Sequence, residues 1–389
     1  MLDCSIAKLL HRLVNQPFNN ITMKQLLIIC GPTATGKTAL ALHLAKKFGG
    51  ELISADSRQV YRGMDIGTGK DIDQKSKIKN QNEKLNPSFT SPLIKGRRGG
   101  VNKKFTVGFR NKDEVPIWLV DIVEPDYVFN VGEFKQLAEA VIQDIWQRGK
   151  LPIIVGGTGL YVRALLRPWD GIFIPPNASL RQKLDKLTVE ELQTELKKNT
   201  SEKFESMNHS DRFNPRRLVR AIEVEEWKKQ NVHNSPLPSL ILREGFPPLR
   251  LRGGQGALRT DNLLIGLTAP PDELFHRIDA RVNERMKQGV LGEIEKLLKK
   301  GYSWEKPAMS GLGYREWEPF FENSEPKSQN SKLISEIIER WKLDEKQYAK
   351  RQLTWFKKEA GIEWFDITST DYQKRVIEMV DKWYNKQNV

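Results

Sequence analysis

Gly31-Pro32-Thr33-Ala34-Thr35-Gly36-Lys37-Thr38 has the spacing GxxxxGK[ST] of a phosphate-binding loop. Glycines at such positions let backbone N–H groups curl round an anion at the N-terminus of a helix. Lys37 adds a fixed positive charge on the terminal phosphates, and the Thr38 hydroxyl offers a ligand to Mg²⁺. The expected ligand is a di- or triphosphate, and the loop alone leaves open whether it belongs to a nucleotide. An acidic partner should follow, and two apolar stretches end in one: LISAD at Asp56 and WLVD at Asp121. An aspartate at a strand's C-terminal end faces the ligand crevice, where it can act as a general base or help hold a metal's water. Capping a turn is the plain alternative use.

Elements of the right kind surround these residues. QLLIIC (25–30) is a short apolar run stopped by Gly31, as in a buried parallel strand. ALALHLAKKF then reads as a helix ended by Gly49-Gly50. ELISAD, PIWLVDIV (116–123), LPIIVGGTG (151–159) and NLLIGLTAP (262–270) read as further strands, with a helix predicted over 131–150. This alternation predicts an α/β fold, a P-loop NTPase-like parallel sheet core with helices on both faces. Residues 178–230 read as amphipathic helices, and helices dominate after 271. The expected organisation is an N-terminal extension at 1–22, a core at 23–73 and 117–174, and a helical insertion at 175–233. Residues 262–389 then return to the core and end in helices.

The charge is placed unevenly. Of a net +14, residues 74–116 carry +8 and residues 234–261 carry +2, leaving about +4 for the rest. Both segments are rich in Gly, Pro, Ser and Asn and show no helical or strand period, so they read as inserted surface loops. With 39% hydrophobic residues and no apolar run of membrane-spanning length, a membrane protein is not expected. Residues 1–22 lack the pattern of a secretory signal, and Met23 is a candidate initiator. Two cysteines, Cys4 and Cys30, exclude a disulfide framework and a four-cysteine zinc site. A cytoplasmic location is expected, and nothing demands a partner subunit, so a monomer is expected too.

Taken in order, GPTATGKT, ADSRQVYRGMDIGTGK, VGGTGLYVRALL, NPRRLVRAIEV, RIDARVNERM, SGLGYRE and YAKRQLTWFKK resemble the blocks of the tRNA dimethylallyltransferase (isopentenyltransferase) family, bacterial type. The resemblance spans roughly residues 25–365 apart from the two inserts. It implies transfer of a dimethylallyl group from dimethylallyl diphosphate to N6 of the adenosine just 3′ of a tRNA anticodon (tRNA position 37), with Mg²⁺ as cofactor and diphosphate released. It implies that Gly31, Pro32, Thr33, Ala34, Thr35, Gly36, Lys37 and Thr38 hold the diphosphate, with Thr38 on the metal. Asp56 would be the base, Thr158 would line the reaction channel and Arg281 would contact the diphosphate from the other side. The anticodon stem–loop would meet Asp56, Ser57, Arg58 and Gln59, with Arg181, Arg216, Arg217 and Arg220 in the helical insertion. It would also meet Gly313, Tyr314, Arg315, Lys350, Arg351, Gln352 and Trp355. Basic residues beside aromatics suit phosphate contact and base stacking. The sequence departs from the family pattern at Pro116-Ile117-Trp118, where many members carry histidines, and at Gly69-Lys70-Asp71.

Three other functions fit parts of this pattern. An adenylate isopentenyltransferase acting on free AMP, ADP or ATP shares the chemistry but lacks a developed helical insertion. A P-loop small-molecule kinase would need only the loop and Asp56. A non-catalytic RNA-binding protein would leave Lys37, Thr38 and Asp56 without a task.

Overall fold

The structure, a computed structural model, describes residues 24–70, 72, 79–80, 107–167, 171–231, 260–323 and 331–386. Expectations for residues 1–22, for most of 74–106 and for 234–259 lie outside the described residues. The strands are β1 (Lys24–Cys30), β2 (Gly50–Ser54), β3 (Lys79–Asn80), β4 (Gly108–Lys112), β5 (Val115–Trp118), β6 (Leu151–Gly156), β7 (Thr260–Thr268) and β8 (Ile362–Asp366). The helices are α1 (Lys37–Phe48), α2 (Val131–Gln147), α3 (Gly159–Leu166), α4 (Ala178–Leu184), α5 (Val189–Asn199), α6 (Ser201–Ser206) and α7 (His209–Arg212). They continue with α8 (Pro215–Gln230), α9 (Pro271–Lys287), α10 (Val290–Lys299), α11 (Glu318–Glu322), α12 (Ser331–Phe356) and α13 (Tyr372–Asn385).

Side chains of β1 alternate between two apolar layers, as a period of two requires: Leu26, Ile28 and Cys30 enter one, Leu27 and Ile29 the other. Because both layers are dry, the run is apolar at every position from Leu26 to Cys30. Among the described residues the strands make one sheet in the order β3-β4-β5-β2-β6-β1-β7-β8. Pairing is parallel from β5 through to β8, and antiparallel between β3, β4 and β5. Helix α1 buries Leu40, Leu44 and Phe48 in one layer, with Val376 and Val380 of α13. Helix α2 buries Phe134, Leu137, Val141 and Ile145 in the other.

Several elements differ from the sequence-based expectation. Residues 108–116, expected within a loop insert, form β4 and the start of β5, joined at Asp113-Glu114. Both turn residues have positive φ (47° and 69°), the geometry a two-residue hairpin needs, without the Asn-Gly or Asp-Gly pair that usually signals it. PIWLVDIV is not one strand: β5 stops at Trp118, and Leu119 and Asp121 adopt φ of 61° and 56°. The backbone of 121–123 then pairs with residues 59–62. Thr260 and Asp261, expected in the second insert, begin β7. β8 was not anticipated and extends the sheet beside β7.

Described residues 171–231 belong to a compact unit of their own. Its core is Leu184, Leu192, Leu196, Phe204, Leu218 and Ile222. Within the stretch 178–230 read as amphipathic helices, residues 178–199 form two of them, α4 and α5. Thr188 and Glu191 form a reciprocal capping box that restarts the helix.

Candidate active site

Parallel strands place their C-terminal ends along one edge, where the chain turns into loops and ligands bind. β2, β6 and β1 are neighbours, so the loops that follow them (55–59, 157–158 and 31–36) meet there. They line a cleft of about 850 Å³ together with residues of α9 and α12. Lys37, Thr38, Asp56, Arg281, Tyr348 and Gln352 all face it.

The phosphate loop is built closely against the sheet. Gly31 has φ 136°, and a Cβ there would lie 2.3 Å from the Leu267 carbonyl oxygen of β7, so no other residue fits. The Thr35 hydroxyl donates to the Pro32 carbonyl at 2.9 Å. The Lys37 ammonium also donates to that carbonyl, which folds its side chain back over the loop. Burial, reinforced by the Arg281 charge, lowers the Lys37 pKa to about 7, and Asp56 and Cys30 oppose the shift. An anion in the loop would reverse this cost, because it supplies the missing counter-charge. Arg281, one of the arginines on the cleft side of α9, donates to the Thr33 hydroxyl. It is therefore no freely solvated helix charge.

Asp56 both caps its turn and faces the cleft. One carboxylate oxygen accepts the Arg58 N–H at 2.8 Å and caps the turn, while the residue lines the cleft. Thr158 stands at the N-cap of α3 with extended backbone, yet its hydroxyl makes no cap bond. The Thr158 oxygen instead accepts the Ser57 N–H at 3.0 Å, which ties the loop after β6 to the loop carrying Asp56. Tyr348 of α12 hydrogen-bonds with Thr158, and burial together with Asp56 holds its phenol protonated well above the usual range.

Asp121, the other acidic candidate, has a different task. It is 1% exposed, pairs with Lys70, and accepts from Arg110 at 2.8 Å. The Lys70 side chain is itself fully buried and also bonds Asp65 at 2.8 Å. Asp121 therefore neutralises two cations beneath the cleft and is not free to serve substrate.

The residues expected to meet RNA fall into different environments. Arg58 donates to the Pro307 carbonyl at 2.6 Å, and Gln59 accepts from Ser54 at 3.0 Å. Arg216 and Arg217 are exposed on α8, with Arg217 paired to Asp211. Arg181 is bound bidentately by the buried Glu223. Arg220 spends its donors on Glu223 and on the carbonyls of Gly171 and Ile174. In the Gly313-Tyr314-Arg315 stretch only Arg315 reaches the surface. Tyr314 is fully buried with its hydroxyl on Glu293 at 2.7 Å, so it is not available to a base. Lys350 and Arg351 are exposed, and Arg351 borders the cleft. Trp355 is partly buried; a Cβ at Gly159 would lie 2.1 Å from its ring, and the Arg163 guanidinium sits 4.5 Å from the ring centre. Gln352 is 6% exposed with both ends of its amide bonded inside the protein, which does not suit an RNA contact.

Residues 107–359 match the sequence model of the family described as IPP transferase, and residues 24–82 match that of isopentenyl transferase. The chain belongs to the IPP transferase family. It is 34% identical to the tRNA dimethylallyltransferase of Roseiflexus sp. (strain RS-1), over 93% of this chain and 99% of that one. It is also 34% identical to the enzyme of that name from Thermomicrobium roseum, over 92% and 91% of the two chains. A crystal structure of a tRNA isopentenylpyrophosphate transferase from Bacillus halodurans superposes with a TM-score of 0.56 at 30% identity, covering 94% of this chain and 97% of that one. A eukaryotic dimethylallyltransferase, described as acting on tRNA, superposes with a TM-score of 0.66 at 25% identity over 93% and 80% of the two chains.

The donor set of this IPP transferase fits Mg²⁺ better than a metal needing an all-protein cage. Among the described residues no three His, Cys, Asp or Glu side chains cluster as such a cage would require. The Thr38 hydroxyl in the cleft is a hard oxygen donor, and Mg²⁺ is commonly held by one or two protein oxygens plus substrate phosphates. The cleft also uses Arg277, Arg285, Glu345 and Tyr348, which sequence reasoning passed over. The spacing of Arg277, Arg281 and Arg285 (i, i+4, i+8) was a usable signal, because it puts all three on one helix face. Tyr348 carried no such signal.

Proposed function

We infer that this chain transfers a dimethylallyl group from dimethylallyl diphosphate to N6 of an adenosine in tRNA. The acceptor is the adenosine just 3′ of the anticodon, presented by the stem–loop. The observation that carries this reading is the meeting of the phosphate loop, Asp56 and Arg281 in one cleft.

The allylic carbon–oxygen bond breaks with its electron pair leaving on the diphosphate. Backbone N–H groups of the loop, Lys37 and Arg281 stabilise that developing charge. Mg²⁺ on Thr38 would add Lewis-acid stabilisation when bound. The adenine nitrogen forms the new bond to the allylic carbon, and Asp56 accepts the proton that N6 loses. Thr158 keeps the Asp56 loop in place through the Ser57 N–H. The adenine must leave its stack to reach this depth, a step favoured in a single-stranded loop. The exposure of Arg216, Arg217, Arg315, Lys350 and Arg351 supports contacts from them to RNA phosphates, those of Arg217 and Arg315 in competition with their own carboxylate partners. A single chain supplies every group this scheme uses, which supports action as a monomer, and a tRNA substrate supports a cytoplasmic location.

The test offers labelled dimethylallyl diphosphate and Mg²⁺ with an anticodon stem–loop in one tube and AMP in another. Label on the RNA, lost when the adenine 3′ of the anticodon is replaced, is the expected outcome. Label on AMP alone would reassign the acceptor to free nucleotides.

A further inference from the structure

We propose that Gln352 is a positioning residue for the diphosphate loop and not a contact to RNA, an inference that rests on the reading of the cleft as the prenyl diphosphate site. Gln352 lies near the C-terminal end of α12 and is 6% exposed. Its Oε1 accepts the Thr33 N–H at 2.8 Å, and its Nε2 donates to the Gly157 carbonyl at 2.9 Å. The amide thus bridges the loops that follow the neighbouring strands β1 and β6. Each loop carries a residue tied to another part of the site beside the bridge. The Thr33 hydroxyl accepts from Arg281, and Thr158 follows Gly157.

The chain is shaped to admit this amide. A Cβ on Gly157 would lie 2.2 Å from Gln352 Nε2, so only glycine leaves the seat open. A carboxamide carries a donor and an acceptor on one terminal group, which matches an N–H on one side and a carbonyl on the other. Without it the Thr33 N–H and the Gly157 carbonyl each lose this bond in a partly dry site. The phosphate loop then loses the brace that fixes its first half, and an anion must order it on binding.

The effect should therefore fall on the diphosphate and spare the RNA. The full-length protein, Gln352→Met, Gly157→Ala and the double variant are each titrated with inorganic diphosphate plus Mg²⁺, and separately with anticodon stem–loop RNA. Gln352→Met is expected to weaken diphosphate binding and raise the donor KM about tenfold, with kcat and RNA affinity within about twofold of the parent. Gly157→Ala, whose new methyl displaces the amide, should give the same loss. The double variant should lose nothing further, because both changes remove one shared brace. Should Gln352→Met fail to fold, Gly157→Ala carries the readout alone, since it removes no polar group. RNA affinity lost while diphosphate affinity is kept, or losses that add in the double variant, would overturn the proposal. The diphosphate titration needs no acceptor, so a wrong acceptor would leave it readable.

Discussion

Asp56 lines the cleft, as Glu284 and Glu345 do, and as the proposed base it is the carboxylate at issue, since Asp121 is consumed by Lys70 and Arg110 and Glu345 is paired with Arg285. Asp56→Asn should lower transfer to RNA by roughly two to four orders of magnitude, the usual worth of a general base, while diphosphate affinity stays within about twofold. Measured transfer near the parent rate would remove Asp56 from the mechanism. Cys30 tests the packing beneath the loop. It is fully buried, and desolvation pushes its thiol up to about 12. Alkylation needs the thiolate, so iodoacetamide at pH 8 should leave Cys30 unmodified until the protein is unfolded. Mass spectrometry of Cys30-containing peptides reads this directly, and labelling in the native protein would contradict the burial. At this scale Lys37, Asp56 and Thr158 were legible because each belongs to a short local motif. The internal bonds of Gln352 were not legible, because its partner Thr33 lies 319 positions away and no local pattern reports such a bond.

At the scale of elements, one buried carboxylate organises the helical unit. Glu223 accepts from the Asn177 N–H, from Arg181 and from Arg220, and these bonds lower its pKa despite burial. A carboxyl whose folded pKa is depressed adds stability above its unfolded pKa, and that stability is lost as pH falls through the folded value. Glu223→Gln should therefore cost about 1–3 kcal/mol near pH 7, with the deficit shrinking below about pH 4. Thermal or urea unfolding of both proteins across pH checks the sign; a deficit independent of pH would refute it. Strands β1, β6 and β7 were legible as apolar runs because both sheet faces are covered. The hairpin β4–β5 was not. Its turn residues Asp113 and Glu114 adopt positive φ without the usual glycine, and its surroundings are basic and polar.

For the whole molecule, the two family matches end at 82 and resume at 107, and the strand pair Asn80↔Gly108 brackets the same interval. Antiparallel neighbours need only about two to five connecting residues. Replacing residues 83–105 by a short turn should therefore keep kcat on saturating RNA within about threefold, since none of the described residues of the cleft is removed. A fall in kcat would mean that the basic segment takes part in turnover. The overall α/β organisation was readable from strand–helix alternation, whereas the edge strand β8 was not, because it lies between α12 and α13 in a stretch read as helical.

The most direct test of the central claim is nucleoside mass analysis of an anticodon stem–loop incubated with the protein, dimethylallyl diphosphate and Mg²⁺. One dimethylallyl unit on N6 of the adenosine 3′ of the anticodon, absent with Asp56→Asn, is the predicted result. An unmodified RNA alongside prenylated AMP, or no prenyl transfer at all, would contradict it.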